Sequence, residues 1–132
     1  MNDNLTIVIP CYNEEEVLPE TTRRLKDKLT ALTGAGKISE QSKVLYVNDG
    51  SRDRTWEIIT ELHAADPVFR GICLSRNKGH QNALMAGLMT VREECDAAIS
   101  LDADLQDDIN AIDEMVEGGT GLSAAVFDHL SL

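Results

Sequence analysis

Four short apolar runs punctuate the chain: Leu5 to Ile9, Val44 to Val47, Gly71 to Leu74 and Ala97 to Leu101. Each is rich in β-branched or aliphatic residues and gives way at once to polar, turn-prone ones. Such runs predict strands buried on both faces, as in a parallel sheet. The intervening segments carry apolar residues at helical spacing: Val17, Leu18, Leu25, Leu29 and Leu32, then Trp56, Ile59 and Leu62, then Leu84, Leu88 and Val91. They predict three crossover helices. Gly34 and Gly36 are expected to stop the first, and Ser51 or Asp53 to cap the second. Ile109, Ile112 and Met115 predict a fourth helix after the fourth strand.

Strand and helix alternating without interruption imply right-handed crossovers. The expected class is α/β, a doubly wound, mostly parallel, Rossmann-like sheet with helices on both faces. In such sheets ligands bind beyond the carboxyl ends of the strands. The residues there are Cys11-Tyr12-Asn13-Glu14, Asn48-Asp49-Gly50-Ser51, Ser75-Arg76-Asn77-Lys78-Gly79 and Asp102-Ala103-Asp104, nearly all polar.

Composition narrows the reading. The 132 residues suit one domain, and 42% apolar against 27% charged residues is enough to support a soluble core. With 12 basic and 23 acidic residues the net charge is −11, which disfavours a nucleic-acid partner. Cys11, Cys73 and Cys95 form no C-x-x-C pair and are expected to be reduced and buried. The start of the chain does not resemble a signal peptide, and no apolar stretch approaches the roughly 18 residues of a bilayer span. A soluble, cytoplasmic chain is expected.

Asp102 and Asp104 stand two residues apart at a strand end, so an extended backbone points both carboxylates the same way. A divalent cation would relieve their repulsion, and Mg²⁺ or Mn²⁺ favours oxygen ligands. Gln106, at the same two-residue step, offers a third oxygen. D-x-D alone is a weak pattern, equally explained by a solvated acidic turn. Asp49 suits either turn chemistry or hydrogen bonds from a base or ribose, and Gly50 the positive φ of a tight turn. Pro10, Tyr12 and Glu14 put a rigid residue, a ring and a carboxylate at the first strand's end. Glu15 and Glu16 fit a helix N-terminus. Arg76 and Lys78 belong to the basic cluster placed at a strand end, where it would meet a diphosphate or simply form an exposed loop. His80 reads as a helix-start hydrogen-bonder and His63 as a helix-face residue. Neither phosphate-loop fingerprint, G-x-x-x-x-G-K-[ST] or G-x-G-x-x-G, is present.

Taken in order, Ile7-Val8-Ile9-Pro10-Cys11-Tyr12-Asn13-Glu14-Glu15, Val47-Asn48-Asp49-Gly50-Ser51-Arg52-Asp53, Ser75-Arg76-Asn77-Lys78-Gly79-His80 and Asp102-Ala103-Asp104-Leu105-Gln106-Asp107 resemble family 2 glycosyltransferases of GT-A fold. The likeness is greatest to polyprenyl-phosphate glycosyltransferases of the dolichol-phosphate mannosyltransferase and bactoprenol glucosyltransferase kind, and runs from about Leu5 to Val116. It implies sugar transfer from a UDP- or GDP-sugar, UDP-glucose or similar, to a polyprenyl phosphate. It implies that Pro10, Tyr12, Glu14 and Asp49 line a nucleoside pocket with Asp102 near the ribose or metal, and that Asp104, helped by Gln106, binds Mg²⁺ or Mn²⁺. Catalytic weight then falls on Asp102 and Asp104, and Lys78 joins the substrate-binding set. A full-length relative would work at the cytoplasmic face of a membrane.

Residues 1–117 are accordingly expected to form the nucleotide-sugar-binding half of a GT-A domain. Residues 118–132, beginning Gly118-Gly119-Thr120-Gly121, do not resemble the family's next strand. A truncated chain or a shifted reading frame would explain them, and an open sheet edge would favour self-association. Two other classes compete: a non-catalytic binding or assembly module that keeps the fold, and a phosphoacceptor receiver-like domain. The second clusters Asp at strand ends, and would place that acidic pair after the first strand and a lone Lys after the fifth; this chain has no Asp pair after its first strand and shows no such Lys.

Overall fold

Seven elements alternate as the apolar pattern requires. The computed structural model describes residues 3–104 and residue 112. In chain order its elements are β1 (Leu5–Cys11), α1 (Leu18–Gly34), β2 (Lys43–Asn48), α2 (Thr55–Ala65), β3 (Phe69–Cys73), α3 (His80–Val91) and β4 (Ala97–Ser100). The strands form one sheet in the order β3-β2-β1-β4, every pairing parallel. The chain winds outward from β1 to β3, then crosses back to β4 on the other side of β1. This reversal places the topological switch point between the ends of β1 and β4.

Each face of the sheet has its own helices. Leu5, Ile7, Ile9 and Cys11 of β1 share a core with Leu18, Leu25, Leu29 and Leu32 of α1 and Ile59 of α2. Val8, Leu45 and Val47 point the other way and pack with Ala83, Leu88 and Val91 of α3. All seven residues of β1 are buried, which is why its apolar run does not alternate. Tyr46, fully buried in β2, satisfies its hydroxyl against Thr22 Oγ1 of α1 at 2.6 Å. Gly87 lets α3 approach closely: a Cβ there would lie 2.6 Å from Val8 Cγ1 and 2.7 Å from Val47 Cγ2.

The helix stops follow the expected chemistry with one exception. Gly36, at φ 74°, closes α1: its N–H donates to Thr33 O and that of Lys37 to Leu32 O, a Schellman arrangement. At the start of α2, Asp53 Oδ1 accepts from the Thr55 N–H at 2.9 Å. Ser51 does not cap α2; its hydroxyl accepts from Asn13 N–H, 38 residues away in sequence.

Two strands differ in extent from their apolar runs. β1 continues through Pro10 to Cys11. Val8 O accepts from Leu101 N–H on the β4 side and Cys11 O from Asp49 N–H on the β2 side. Alternation therefore turns Pro10 towards the β4 side, beyond the last residue paired there, Ser100, so its missing N–H costs no ladder bond. β3 begins at Phe69 rather than Gly71, because an edge strand tolerates a half-buried Arg70. The cysteines also divide: Cys11 is buried, Cys95 half-buried, and Cys73, at the end of β3, is exposed against expectation. Ile112 is helical and buried in the α1-side core, as the fourth-helix pattern requires. Ile109, Met115 and residues 118–132 lie outside the described residues. Among the described residues no helix is long and apolar enough to cross a membrane.

Candidate active site

The loops that follow β1, β2 and β3 hold one another in place. Asn13 takes a left-handed φ of 54°, donates its N–H to Ser51 Oγ at 2.9 Å and accepts from Arg52 N–H at 2.9 Å. Glu14 N–H reaches Thr55 Oγ1 at 2.8 Å and Glu15 N–H reaches Asp53 Oδ2 at 3.3 Å. Much of Asn13-Glu14-Glu15 and Ser51-Arg52-Asp53 therefore serves to fix the β1 and β2 loops together. Asn48, buried, supports the same turn by accepting from Ser51 N–H through Oδ1. Gly50 adopts φ 68°, the positive value its sequence context predicts.

On this frame the carboxyl ends of the strands open into a cleft of about 380 Å³. β1 and the turn after it contribute Pro10, Cys11, Tyr12 and Glu14, the turn after β2 contributes Asp49, and the turn after β4 contributes Asp102, Ala103 and Asp104. Six predicted residues, Pro10, Tyr12, Glu14, Asp49, Asp102 and Asp104, thus share one cavity at the switch point. Tyr12 is 42% exposed at the cleft. The acidic turn is anchored from the helix layer, where Thr21 Oγ1 of α1 donates to Ala103 O at 2.5 Å.

Lys78 meets the site differently. It is exposed, and its main-chain N–H donates to Asp49 Oδ1 at 2.7 Å. The cleft wall on that side is made by Asn77, Gly79 and His80. His80 Nε2 lies 4.0 Å from Asp102 Oδ1. Sequence reasoning placed His80 at the helix start but gave it no part in the site. Its position at the start of α3 was the available signal, but nothing in the sequence brings it across to Asp102. Gln106 lies outside the described residues.

The cleft is electrostatically one-sided. The Glu14 carboxyl holds its proton more tightly than an ordinary glutamate, through partial burial and then through the negative charges of Asp104, Asp53 and Asp102. Cys11 at the cleft floor is buried and its thiol is pushed far up, so it is no nucleophile. Among the described residues no three His, Cys, Asp or Glu side chains are grouped closely enough to hold a metal by themselves. Asp102 and Asp104 instead suit an ion that takes one or two carboxylates and completes its shell with phosphate oxygens and water, the habit of Mg²⁺.

Comparison with known proteins agrees with this architecture. The chain is 48% identical over 108 residues to an uncharacterized glycosyltransferase, YkoT, of Bacillus subtilis, covering 82% of this chain and 32% of that one. It is 40% identical over 116 residues to the undecaprenyl-phosphate 4-deoxy-4-formamido-L-arabinose transferase of Pectobacterium atrosepticum, covering 86% and 33%. The chain thus spans about a third of the length of these relatives. Among solved structures, the mannosyltransferase PcManGT from Pyrobaculum calidifontis, in complex with GDP-Man and Mn²⁺, superposes with a TM-score of 0.62 at 18% identity, covering 89% of this chain and 32% of that one. That likeness establishes the GT-A-type fold. The family model for glycosyl transferase family 2 matches residues 6–121, and the chain belongs to that family.

Proposed function

We propose that the chain binds a nucleotide sugar and serves a glycosyltransferase that moves the sugar to a polyprenyl phosphate with the help of Mg²⁺ or Mn²⁺. The observation that carries this reading is the meeting of Glu14, Asp49, Asp102 and Asp104 in one cleft at the switch point. Glu14 there holds its proton more tightly than an ordinary glutamate, through partial burial and then through the negative charges of Asp104, Asp53 and Asp102. The relative that acts on undecaprenyl phosphate supports a polyprenyl phosphate acceptor, and the fold neighbour holding GDP-Man and Mn²⁺ supports the donor class and the metal.

Within this reading Pro10 and Tyr12 take the nucleobase face, Tyr12 offering its exposed ring for stacking. Asp49 accepts from the base or ribose through Oδ2, since Oδ1 is committed to Lys78 N–H. Asp102 reaches the ribose or the cation, and Asp104 with Gln106 holds the cation. When bound, Mg²⁺ or Mn²⁺ supplies positive charge to the departing nucleoside diphosphate. Lys78, exposed in the same loop as the cleft-lining Asn77 and Gly79, adds a positive charge. An acceptor phosphate oxygen is already anionic, so it attacks the anomeric carbon without a general base. The new bond joins that oxygen to the sugar, and the bond to the diphosphate breaks. The donor is a UDP- or GDP-sugar, with UDP-glucose the leading choice.

Residues 1–117 constitute the nucleotide-sugar-binding half, and residues 118–132 a segment of different composition. The reaction belongs at the cytoplasmic face of a membrane, where the lipid carrier is charged. Pairing of two chains through a sheet edge, tested by sedimentation equilibrium, completes the proposal. The activity itself is tested by incubating the chain with labelled UDP-glucose or GDP-mannose, Mn²⁺ and a polyprenyl phosphate. Labelled lipid supports transfer. Cation-dependent binding without labelled lipid makes the chain a binding or assembly module, and no binding refutes the donor-site reading.

A further inference from the structure

The main-chain segment Arg76–Lys78 rests on the turn after β2 in two independent ways. Asp49, only 3% exposed, accepts the Lys78 N–H through Oδ1 at 2.7 Å. Beside it, Gly50 leaves its Cα bare where a Cβ would lie 2.3 Å from Asn77 N and 2.5 Å from the Arg76 carbonyl carbon. No side chain larger than hydrogen fits between these two backbones. The segment resting there contributes Asn77 to the cleft wall and leads directly into its other two residues, Gly79 and His80, the latter 4.0 Å from Asp102.

We infer that Asp49 is a positioning residue as well as a nucleotide contact: with Gly50 it seats the Arg76–Lys78 backbone and so sets where Asn77 and His80 stand opposite the Asp102–Asp104 turn. Affinity for a nucleoside diphosphate then depends on Asp49 along two routes, one through direct contact and one through the wall it holds. The two oxygens divide the work, Oδ1 facing the protein and Oδ2 left for ligand. Asn at this position keeps an acceptor for Lys78 N–H, whereas Ala removes it, and Gly50→Ala displaces the segment without altering any carboxylate. This inference rests on the nucleoside-diphosphate reading of the cleft for its binding readout, but the seat itself is measurable without ligand.

The test combines amide hydrogen exchange, followed by NMR on the ligand-free 132-residue chain, with calorimetric titration of UDP and GDP in Mn²⁺. Asp49→Ala should speed exchange at the Lys78 amide at least about tenfold, while Asp49→Asn leaves it within about twofold of wild type. His80→Ala should cost about fivefold in affinity in the wild-type and Asp49→Asn backgrounds and little more in Asp49→Ala, because a wall already released has nothing further to lose. Gly50→Ala should weaken binding by a similar factor with the far-ultraviolet dichroism intact, and it decides the matter if Asp49→Ala fails to fold. Unchanged Lys78 exchange in a folded Asp49→Ala chain, equal losses from His80→Ala in all three backgrounds, or unaltered binding by Gly50→Ala overturns the inference. Should the wild type bind neither nucleotide, the donor-site reading falls, and Lys78 exchange still decides whether Asp49 holds the segment.

Discussion

Glu14 concentrates the electrostatics of the cleft in one carboxyl. Partial burial, and then Asp104, Asp53 and Asp102, raise its proton affinity above that of the unfolded chain. A carboxyl shifted this way adds stability below its unfolded pKa of about 4.3 and loses it as pH climbs through the higher folded value. Glu14→Gln should therefore raise the melting temperature of the cation-free chain at pH 7, and the advantage should fade as pH is lowered towards about 4. A scan of melting temperature against pH checks the sign; equal melting at pH 7 would show that neither burial nor the neighbouring charges shift Glu14. At this scale the sequence is legible wherever a residue's role is local. Gly50 takes the positive φ its turn predicts, and Pro10 through Glu14 fall where a strand must end. Roles set by distant partners are not legible: Ser51 pairs with Asn13, Asp49 with Lys78, and His80 faces Asp102 only because α3 crosses back beneath the sheet.

At the scale of elements, α1 and α3 both act on the site through the strands they cover. Thr21 on α1 holds Ala103 between the two aspartates, so Thr21→Val removes the donor from a buried carbonyl. The expected cost is about 1–2 kcal/mol in urea unfolding, with weaker cation-dependent nucleotide binding as the turn loosens. A loss of stability alone, with binding unchanged, would mean the turn is held by other contacts. On the opposite face Gly87→Ala drives a methyl into Val8 and Val47, and overpacking of this kind should cost about 1–3 kcal/mol. The urea midpoint reads this directly. The strands buried on both faces were plain in the sequence because burial leaves only apolar residues to choose from. β3 was the least plain: as the outer strand of the described sheet it carries Arg70 and Gly71, and Gly71 is there because Ile59 and Trp56 of α2 press against it. The apolar run that could be read, Gly71 to Leu74, therefore starts two residues after the strand does at Phe69.

Over the whole molecule, strand order decides the site. Because β4 returns to the far side of β1, the acidic turn after β4 comes to face the turn after β1, and Asp49 joins them from the turn after β2. Alternating strands and helices announced the doubly wound class, and the polar strand ends named six of the residues that line the cleft. The convergence of those ends is a property of the crossovers, not of any single motif. A cleft built in this way should be useful mainly as a place where a cation and a diphosphate neutralise the acidic residues together. The most direct measurement is calorimetric titration of UDP and GDP into the chain with Mn²⁺ and again with the cation chelated, using wild type and Asp104→Asn. Saturable binding of at least one nucleotide is expected only with Mn²⁺, weakened at least about tenfold by Asp104→Asn. Binding that is indifferent to the cation and to Asp104, or no binding of either nucleotide, would contradict this expectation.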